Sequence, residues 1–433
     1  MPGDGYDVIQ ASSFCNRTVN PIRAIVEAID IPKDTPEKKM IPLSIGDPTV
    51  FGNLRAPEVL IEAIQAAAAD AATHGYKHSA GMDTARAAVA KRHSAIAGRT
   101  VAPSDVVLTS GCSGALDIAI KALCSEGDEL LVPRPGFALY ETLAKSNGAD
   151  VKYYDLVPDR SWEADLEHLE KCIGGKTRAI LVNNPSNPCG SVYSQEHLNA
   201  ILAIAEKHGL PIIADEIYGN ITFDGHKFHA LASLTKTVPI LEVGGIAKEF
   251  LVPGFRIGWI ILHDAPARSN EDGSKRMALE AVWAGVAKLT QLLVGPNTIV
   301  QAALPRVLTP EAGSEDETRM AEFHKKTLAE LEGNAKFLVE RLDKIRGIRT
   351  IVPQGAMYVM IGFDKSAIPA DKAANLDGFQ FTQKLLNEEL VFLLPGKCFE
   401  VNDFMRIVFC APKTILADAC DRIERFCAKE FGA

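Results

Sequence analysis

Seven short runs of apolar and β-branched residues, alternating with helical stretches, constrain the fold of this chain more than any other feature. They recur between about Val106 and Leu262 and read DVVLTS, DELLVP, VKYYDL, AILVNN, PIIADE, PILEVG and RIGWIIL. Segments with helical periodicity, such as SGALDIAIKALC and SQEHLNAILAIAEKHG, separate most of them. Strands that alternate with helices form a parallel sheet between helices, so the pattern predicts an α/β fold with a mostly parallel, seven-stranded sheet. The last two runs are too close together for a crossover helix, which predicts that one strand is antiparallel to its neighbours.

The remainder of the chain predicts a second, smaller unit. Residues from about Ser314 to Gly347 begin acidic, end basic and contain no proline, as suits one long helix matched to its own dipole. The strand-like runs AMYVMIGF, LVFLLPG and FMRIVFC and a final helix follow. We therefore expect an N-terminal arm at 1–19, a small α+β domain made of 20–55 and 314–433, and a large domain at 56–313.

Composition and charge narrow the class of partner. With 433 residues, of which 47% are hydrophobic and 23% charged, the chain can bury a large core. A formal net charge of -9 and a pI near 5.7 argue against nucleic acid or an anionic membrane surface as partner, and favour a small-molecule ligand. The sequence has no apolar run near the roughly 18 residues of a membrane span and no signal-like N-terminus, so we expect a cytoplasmic protein without a membrane partner. The nine cysteines form no C-x-x-C pair or metal-ligand cluster, which predicts free thiols and no metal site.

The residues around Lys248 in the sequence are more apolar than is usual for a surface lysine. The stretch GGIAKEFLVPGFRIGWI surrounds it with glycine, alanine and apolar residues, with only Glu249 beside it and Arg256 eight residues later. One interpretation is a strand end whose lysine stem lies on apolar surface while the ammonium reaches water. The other is a lysine that desolvation keeps neutral, so that its amine is nucleophilic. These residues by themselves leave both interpretations open.

A strand-to-helix turn in VVLTSGCSGALDIAIKAL has the features of an anion site. The strand runs into Ser110, Gly111, Cys112 and Ser113 and then into a helix, so free N–H groups and the helix dipole point at one place. The turn contains neither a Walker lysine nor a G-x-G-x-x-G pattern. It is consistent with a phosphate cradle, and a tight turn without a ligand explains it about as well.

Three further polar segments lie at or near predicted strand ends, where ligands bind in open α/β sheets. VNNPSNPCGSVY presents the side chains of Asn184 and Asn187 in a turn fixed by two Asn-Pro steps, or is a loop without chemistry. IIADEIYGN ends in Asp215 and Tyr218, and its acid is either functional or a helix cap. Arg406 in NDFMRIVFC is either functional or an exposed partner for a carboxylate.

Taken together, these segments meet the requirements of pyridoxal phosphate chemistry: a phosphate cradle, an acid for the ring nitrogen, donors for the ring oxygen and a nucleophilic lysine. From about Thr18 to the C-terminus, the chain resembles the fold-type-I pyridoxal phosphate-dependent aminotransferases in the motifs SIGDPTVFGNL, TSGCSGA, LVPRPGFALYETLA, VNNPSNPCGSV, ADEIYG, GGIAKEFLVPGFRIGWI and PQGAMYVM. The resemblance implies a fold-type-I transferase with pyridoxal 5'-phosphate as cofactor. It also implies transamination of aromatic L-amino acids, chiefly tyrosine, with a 2-oxo acid such as 2-oxoglutarate, giving 4-hydroxyphenylpyruvate and glutamate by a ping-pong mechanism.

The resemblance further implies a role for each matched residue around the cofactor. Lys248 would bind the cofactor aldehyde and serve as general base, and Asp215 would pair with the ring nitrogen. Asn187 and Tyr218 would hold the ring oxygen. The remaining cofactor contacts of this subunit would be Ser110, Gly111, Cys112, Ser113, Phe137 and Arg256.

The resemblance also places the substrate and a second subunit at this site. Arg406 would clamp the α-carboxylate bidentately, beside Gly46 and Asn187. Tyr76 in HGYKHSAG matches the tyrosine that reaches the phosphate of the neighbouring subunit. It therefore implies a homodimer with its sites at the subunit interface.

A second cation is needed if one pocket is to accept the distal carboxylate of glutamate or 2-oxoglutarate, because burying an unpaired charge is costly. The stretch FCNRTVNPIRAI offers two arginines near the point where the N-terminal segment of this family crosses the active site. Arg23 has the helical context of a structural residue, so we expect Arg17 to meet the distal carboxylate.

The same motifs differ from those of various aminotransferases at one place, and they leave two alternative functions open. Gly245 and Ile246 stand where various aminotransferases have a phosphate-binding Ser or Thr, so that contact is absent or supplied by other groups. A lyase of the same fold, such as a carbon–sulfur lyase or aminocyclopropane carboxylate synthase, would need the same cofactor residues. A binding or regulatory protein could also retain the cofactor, although no DNA-binding extension is present.

Overall fold

The structure is a computed structural model that describes residues 6, 8–34, 38–267, 276–374 and 376–432. Its strands, in chain order, are β1 Ile41–Pro42, β2 Val106–Thr109, β3 Glu129–Arg134, β4 Asp150–Val157, β5 Glu163–Ala164, β6 Thr177–Asn183, β7 Ile212–Asp215, β8 Ile240–Gly245, β9 Gly258–His263, β10 Ile348–Thr350, β11 Tyr358–Phe363, β12 Val391–Phe392, β13 Leu394–Pro395 and β14 Phe404–Val408. Its helices, in chain order, are α1 Ser13–Arg17, α2 Pro21–Glu27, α3 Glu58–Ala69, α4 Asp83–Ala97, α5 Gly111–Leu123, α6 Leu139–Ser146, α7 Leu166–Cys172, α8 Gln195–His208, α9 Leu231–Leu234, α10 Glu280–Thr290, α11 Thr298–Leu308, α12 Glu315–Leu342, α13 Ala370–Ala373, α14 Gly378–Glu389 and α15 Lys413–Phe431.

Within the described residues, eight strands form one large sheet in the order β2-β9-β8-β7-β6-β3-β4-β5. The strands from β8 through β7, β6 and β3 to β4 are parallel to one another. β9 lies antiparallel between β2 and β8, which confirms the predicted antiparallel strand. The predicted number of seven strands was wrong by one. The additional strand, β5, has two residues at the sheet edge, too few to show a pattern of alternation.

The strand directions bring several loops to one edge of this sheet. β2 and β8 point the same way, because each is antiparallel to β9, and β6 and β7 are parallel to β8. Their carboxyl ends, which all lie at this edge, are Thr109, Asn183, Asp215 and Gly245. Ligands bind at such an edge in open α/β sheets.

Helices cover both faces of the large sheet, which explains the nearly continuous apolar sequences of its central strands. All residues of β2, β7 and β8 are buried. On one face, Leu116 of α5 packs in a cluster with Leu241 of β8. On the other face, Val89 of α4 and Leu304 of α11 pack in a cluster with Ile261 of β9.

The smaller unit contains an antiparallel sheet in the order β10-β11-β14-β13 and the parallel pair of β1 and β12. One core joins Leu338 of α12, Ile361 of β11 and Ile423 of α15, all at most 1% exposed. The pairing of β1 with β12 joins the chain before the large sheet to this unit. The division of the whole chain at 19, 55 and 313 stays a prediction.

The predicted long helix is α12. Ser314 Oγ accepts a hydrogen bond from the Glu317 N–H at 3.2 Å, acidic residues fill the first turn, and Arg341 lies in the last turn. The helix ends at Leu342, earlier than the expected end near Gly347. Among the described helices there is none with the length and apolarity that a membrane span requires.

Candidate active site

A cavity of about 620 Å³ opens at the carboxyl edge of the large sheet and is also lined by residues of the smaller unit. The predicted site residues that line it are Gly46, Cys112, Ser113, Phe137, Asn187, Asp215, Tyr218, Lys248, Arg256 and Arg406. Ser110 and Gly111 lie next to it, as the N-cap and the first residue of α5. The fold therefore gathers motifs that are far apart in the chain at one place.

Asp215 is the last residue of β7 and is buried, with 3% of its surface exposed. Its Oδ2 accepts a hydrogen bond from Tyr140 Oη at 2.6 Å, and its Oδ1 accepts one from the Ile217 N–H at 3.3 Å. Burial raises the pKa of the Asp215 carboxyl above its ordinary value, and the hydrogen bond from Tyr140 opposes that rise. A buried carboxylate in this position can pair with a cationic N–H group of a ligand.

Lys248 lies in the turn after β8, and its amine reaches the cavity. Its Nζ donates a hydrogen bond to the Gly46 carbonyl oxygen at 2.7 Å. The side chain is half-buried, so the amine is partly withdrawn from solvent. This position favours the interpretation of Lys248 as a nucleophile or base over that of a lysine reaching bulk water.

Tyr218 and Tyr358 form a buried pair in the cavity wall. Their hydroxyl oxygens are 2.7 Å apart, and their rings meet edge to face with centroids 5.6 Å apart. Burial raises the pKa of Tyr218 well above its ordinary value, so the phenol stays neutral and can donate a hydrogen bond to an anionic oxygen. A β-carbon on Gly46 would lie 2.8 Å from Tyr358 Oη, so this pair leaves no room for a side chain at position 46.

The N-terminus of α5 is open toward the cavity. The first N–H groups of the helix, including those of Cys112 and Ser113, have no intrahelical partner. The side chain of Ser110 does not cap them either. Arg256 lies at the same end, where its Nη2 donates to the Ser110 carbonyl oxygen at 3.3 Å. Gly111 has a φ of +72°, and a β-carbon there would lie 2.6 Å from Arg256 Nη2. The helix end and the guanidinium together form a site suited to a dianion such as a phosphate.

The departure at Gly245 has a steric cause. A β-carbon at this position would lie 2.6 Å from the Ile257 carbonyl oxygen, because β8 pairs closely with β9. The backbone therefore leaves no room at position 245 for the Ser or Thr that various aminotransferases have there. The polar groups available to a phosphate at this end are those of α5 and Arg256.

Arg406 on β14 is 4% exposed but incompletely hydrogen-bonded. Its Nη1 donates to Asn187 Oδ1 at 2.9 Å and its Nη2 to the Ser44 carbonyl oxygen at 2.7 Å, whereas its Nε has no partner. The guanidinium lies over the rings of Tyr358 and Phe399, at 4.6 and 5.0 Å from their centroids. Burial lowers the pKa of Arg406, but a guanidinium stays charged in proteins. Because both bonds go to neutral oxygens, its charge remains available to a carboxylate ligand.

Phe137 and Cys112 complete the wall near Asp215. Phe137 meets Tyr140 edge to face, with ring centroids 5.7 Å apart. Cys112 Sγ lies 3.7 Å from Asp215 Oδ1, and burial raises the pKa of its thiol well above the ordinary value. The thiol is therefore protonated and donates to the carboxylate.

Sequence reasoning missed Tyr140 and Tyr358. Both occur in motifs that carried the resemblance, LVPRPGFALYETLA and PQGAMYVM. A tyrosine within an apolar helix or strand is usually a packing residue, so neither motif by itself identifies its hydroxyl as functional. Only the tertiary contacts with Asp215 and Tyr218 reveal these roles.

Two predicted residues lie outside this cavity. Tyr76 is 92% exposed on the chain. Arg17 on α1 extends toward Glu126, with Nη1 at 3.6 Å from Oε1. Arg23 on α2, which the sequence suggested to be structural, lines the cavity. The structure therefore brings Arg23, and not Arg17, to the other site residues.

Comparisons with known proteins agree with this geometry. A family model described as aminotransferase class I and II matches residues 38–423. The chain is 43% identical to tyrosine aminotransferase of Homo sapiens, covering 98% of this chain and 88% of the relative, and 44% identical to that of Dictyostelium discoideum, covering 97% and 96%. A crystal structure of tyrosine aminotransferase from Leishmania infantum is similar at a TM-score of 0.89 and 32% identity, covering 99% of this chain and all of that one. The chain belongs to the class I and II aminotransferase family.

Proposed function

We propose that this protein transfers the amino group of aromatic L-amino acids, chiefly tyrosine, to a 2-oxo acid such as 2-oxoglutarate. The observation that carries the proposal is a single cavity that holds a buried acid, an amine and a buried arginine with an unpaired Nε, contributed by Asp215, Lys248 and Arg406. The similarity to several tyrosine aminotransferases supports tyrosine as the donor.

The residues present fit pyridoxal 5'-phosphate as the cofactor. The α5 N-terminus and Arg256 suit the phosphate, and the buried carboxylate of Asp215 suits a protonated ring nitrogen. Asn187 and Tyr218 would hold the ring oxygen, and Phe137 would lie against the ring. When bound, the cofactor supplies an electron sink for the carbanion that forms at the substrate Cα.

Three polar residues of the cavity then have defined tasks. Arg406 would bind the substrate α-carboxylate with N–H groups that the two bonds to Asn187 and Ser44 leave available, that of Nε among them, and so orient the Cα–H bond. Lys248 would hold the cofactor through its aldehyde, and its amine would serve as the base that takes the proton from the substrate Cα. Asp215 would keep the cofactor ring nitrogen protonated, and the hydrogen bond from Tyr140 favours the charged form of that carboxylate against the effect of burial.

A homodimer completes the proposed site. On the single chain, Tyr76 is exposed and lies outside the cavity. It lines a surface cleft of about 710 Å³ together with Leu293 and Val294. Exposed apolar residues beside such a cleft support burial against a second copy. We also propose a cytoplasmic location, which is supported by the nine cysteines, all of them free thiols.

The experiment that tests the function is a matrix of amino donors against 2-oxo acid acceptors on the purified protein with added pyridoxal phosphate. Transamination requires both substrates, with tyrosine among the best donors. Turnover without a 2-oxo acid would instead indicate a lyase. A change in cofactor absorbance on adding an amino acid, without sustained turnover, would indicate a binding protein.

A further inference from the structure

The turn that carries Lys248 has a strained backbone. After β8 the chain makes a tight turn in which the Phe250 N–H bonds to the Ile246 carbonyl oxygen at 3.1 Å and the Val252 N–H to that of Ala247 at 3.1 Å. Leu251 then has a φ of 58°, in the left-handed region that favours glycine. Such a conformation persists only where the surrounding structure holds it. A group that fixes this turn therefore also fixes the position of the Lys248 amine.

Glu249, the residue next to Lys248, provides such a group. Its carboxylate is 8% exposed and accepts hydrogen bonds from Arg92 Nη2 on α4 at 2.6 Å and from Asn220 Nδ2 at 2.9 Å. His324 Nε2 on α12 lies 3.4 Å from the same carboxylate. A buried carboxylate is stable only with partners of this kind, so the three partners and the turn hold one another in place.

The aromatic residue that follows reinforces this arrangement. The Arg92 guanidinium lies over the Phe250 ring at 5.9 Å from its centroid, and the His324 ring meets Phe250 edge to face at 5.6 Å. Two consecutive residues after Lys248 are therefore held between α4 and α12. The lysine itself is left free to extend into the cavity.

Asn220 links this cluster to a second part of the site. It lies two residues after Tyr218, and the Ile221 N–H donates to the Tyr218 carbonyl oxygen at 2.8 Å, which makes this segment a tight turn. The bond from Asn220 to Glu249 thus connects the turn of Lys248 to the turn of Tyr218. Both turns present side chains to the same cavity.

We propose that Glu249 is a positioning residue for the proposed transamination, fixing the Lys248 turn against the Tyr218 turn through Asn220 and against α4 through Arg92. Glu249 does not line the cavity and acts through these neighbours. Because proton transfer and covalent capture depend on the position of the amine, a small displacement of the turn reduces both rates, and a misplacement of 1 Å can cost about 100-fold. Substrate binding through Arg406 is unaffected.

The test uses Glu249→Gln, which keeps the shape of the side chain and removes its charge. The first measurement is the rate at which the cofactor-free protein captures added pyridoxal phosphate at Lys248, followed by absorbance and verified by borohydride reduction and mass spectrometry. The second is kcat and KM for tyrosine. We expect both the capture rate and kcat to fall by about tenfold or more, and KM to stay within about twofold.

Glu389→Gln is the matched control. The Glu389 side chain is 15% exposed and is bonded by Lys38 at 2.8 Å and Arg425 at 3.1 Å, outside the cavity lining. We expect it to lower the thermal stability to a similar degree and to leave capture and kcat unchanged. A Glu249→Gln protein that differs from the wild type only in thermal stability would overturn the proposal.

Asn220→Ala provides a second, independent variant. It removes the hydrogen bond to Glu249 Oε2 and leaves the ion pair of Oε1 with Arg92 in place, and we expect a smaller fall in the capture rate. In the double variant with Glu249→Gln, the two effects should not add fully, because both variants disturb the contact between Asn220 and Glu249. Full additivity would show that the two residues act separately and would also overturn the proposal.

The capture rate reports on the position of Lys248 even if the donor and acceptor matrix should disprove transamination. Failure of this proposal and failure of the proposed function are therefore distinguishable.

Discussion

Among single residues, Asp215 shows how stability and function oppose each other in this site. Burial raises the pKa of its carboxyl in the folded chain, so the unfolded chain ionises at a lower pH than the folded one. As pH rises through this interval, the folded state loses stability, and at neutral pH a charged Asp215 is a cost to the cofactor-free protein. The hydrogen bond from Tyr140 reduces that cost without removing it.

Asp215→Asn should therefore separate stability from activity. We expect transamination to fall by about three powers of ten or more, which corresponds to about 4 kcal/mol of activation free energy, because the ring nitrogen loses its anionic partner. We expect the cofactor-free variant to unfold at pH 7 at a temperature no lower than that of the wild type. The difference in unfolding temperature should shrink toward acidic pH, where the wild-type carboxyl is protonated. Calorimetry of both cofactor-free proteins as a function of pH is the measurement, and a clear loss of stability at pH 7 would contradict the argument.

Arg406 makes a prediction about substrate affinity at the same scale. Its planar guanidinium donates to Asn187 and to the Ser44 carbonyl while its Nε stays unpaired, a geometry that a lysine cannot reproduce. We expect Arg406→Lys to raise KM for tyrosine by roughly 10- to 150-fold, the equivalent of about 1.5–3 kcal/mol for hydrogen bonds to a charged group. Cofactor affinity, measured by absorbance titration, should change little. An unchanged KM would argue against Arg406 as the carboxylate clamp.

Among the secondary-structure elements, the N-terminal helices determine which arginine can reach the substrate. The residues of this segment that line the cavity are Ile22, Arg23 and Val26 of α2 and Ile31 beyond it. The side chain of Arg17 instead pairs with exposed Glu126. Apolar contacts beside one cation suit a substrate that has either an aromatic ring or a distal carboxylate.

Arg23→Ala should consequently change substrate preference. We expect kcat/KM for glutamate and 2-oxoglutarate to fall by about tenfold or more, because the distal carboxylate would be buried without a cation, whereas kcat/KM for tyrosine should fall far less. Arg17→Ala is the matched control and should affect neither substrate class selectively. If Arg17→Ala instead lost kcat/KM selectively for glutamate and 2-oxoglutarate, Arg17 would be the residue that meets the distal carboxylate, as expected from the sequence. Arg23 would then not have this role.

The elements also show where sequence reasoning succeeds and where it stops. The seven strands of the large sheet that the sequence predicted all exist, because buried parallel strands require continuous apolar runs. The two-residue edge strand β5 is too short to show such a run, and which of Arg17 and Arg23 reaches the cavity depends on how their helices pack. The partners of Glu249 are similarly hidden, since Arg92, Asn220 and His324 come together only in the tertiary structure.

At the scale of the whole molecule, the proposed homodimer explains an exposed tyrosine beside an apolar cleft. Tyr76 is 92% exposed, and Leu292 and Leu293 nearby in that region are 74% and 69% exposed. An isolated chain would present these side chains to water at a cost in solubility. If each active site includes Tyr76 of the other subunit, each of the two sites of the dimer depends on residues of both chains.

Subunit complementation follows from this arrangement. A hybrid dimer of one Lys248→Ala subunit and one Tyr76→Ala subunit has one site with both defects and one site with neither. We expect hybrids purified through two different affinity tags to recover about half of the wild-type activity at limiting cofactor, where each parent homodimer is poorly active. A hybrid of Lys248→Ala with Asp215→Ala is the matched control and should stay inactive, because each site then keeps one defect from its own chain. Recovery in neither hybrid would show that Tyr76 does not serve the neighbouring site, and recovery in both would show that the residues are not distributed between subunits as proposed.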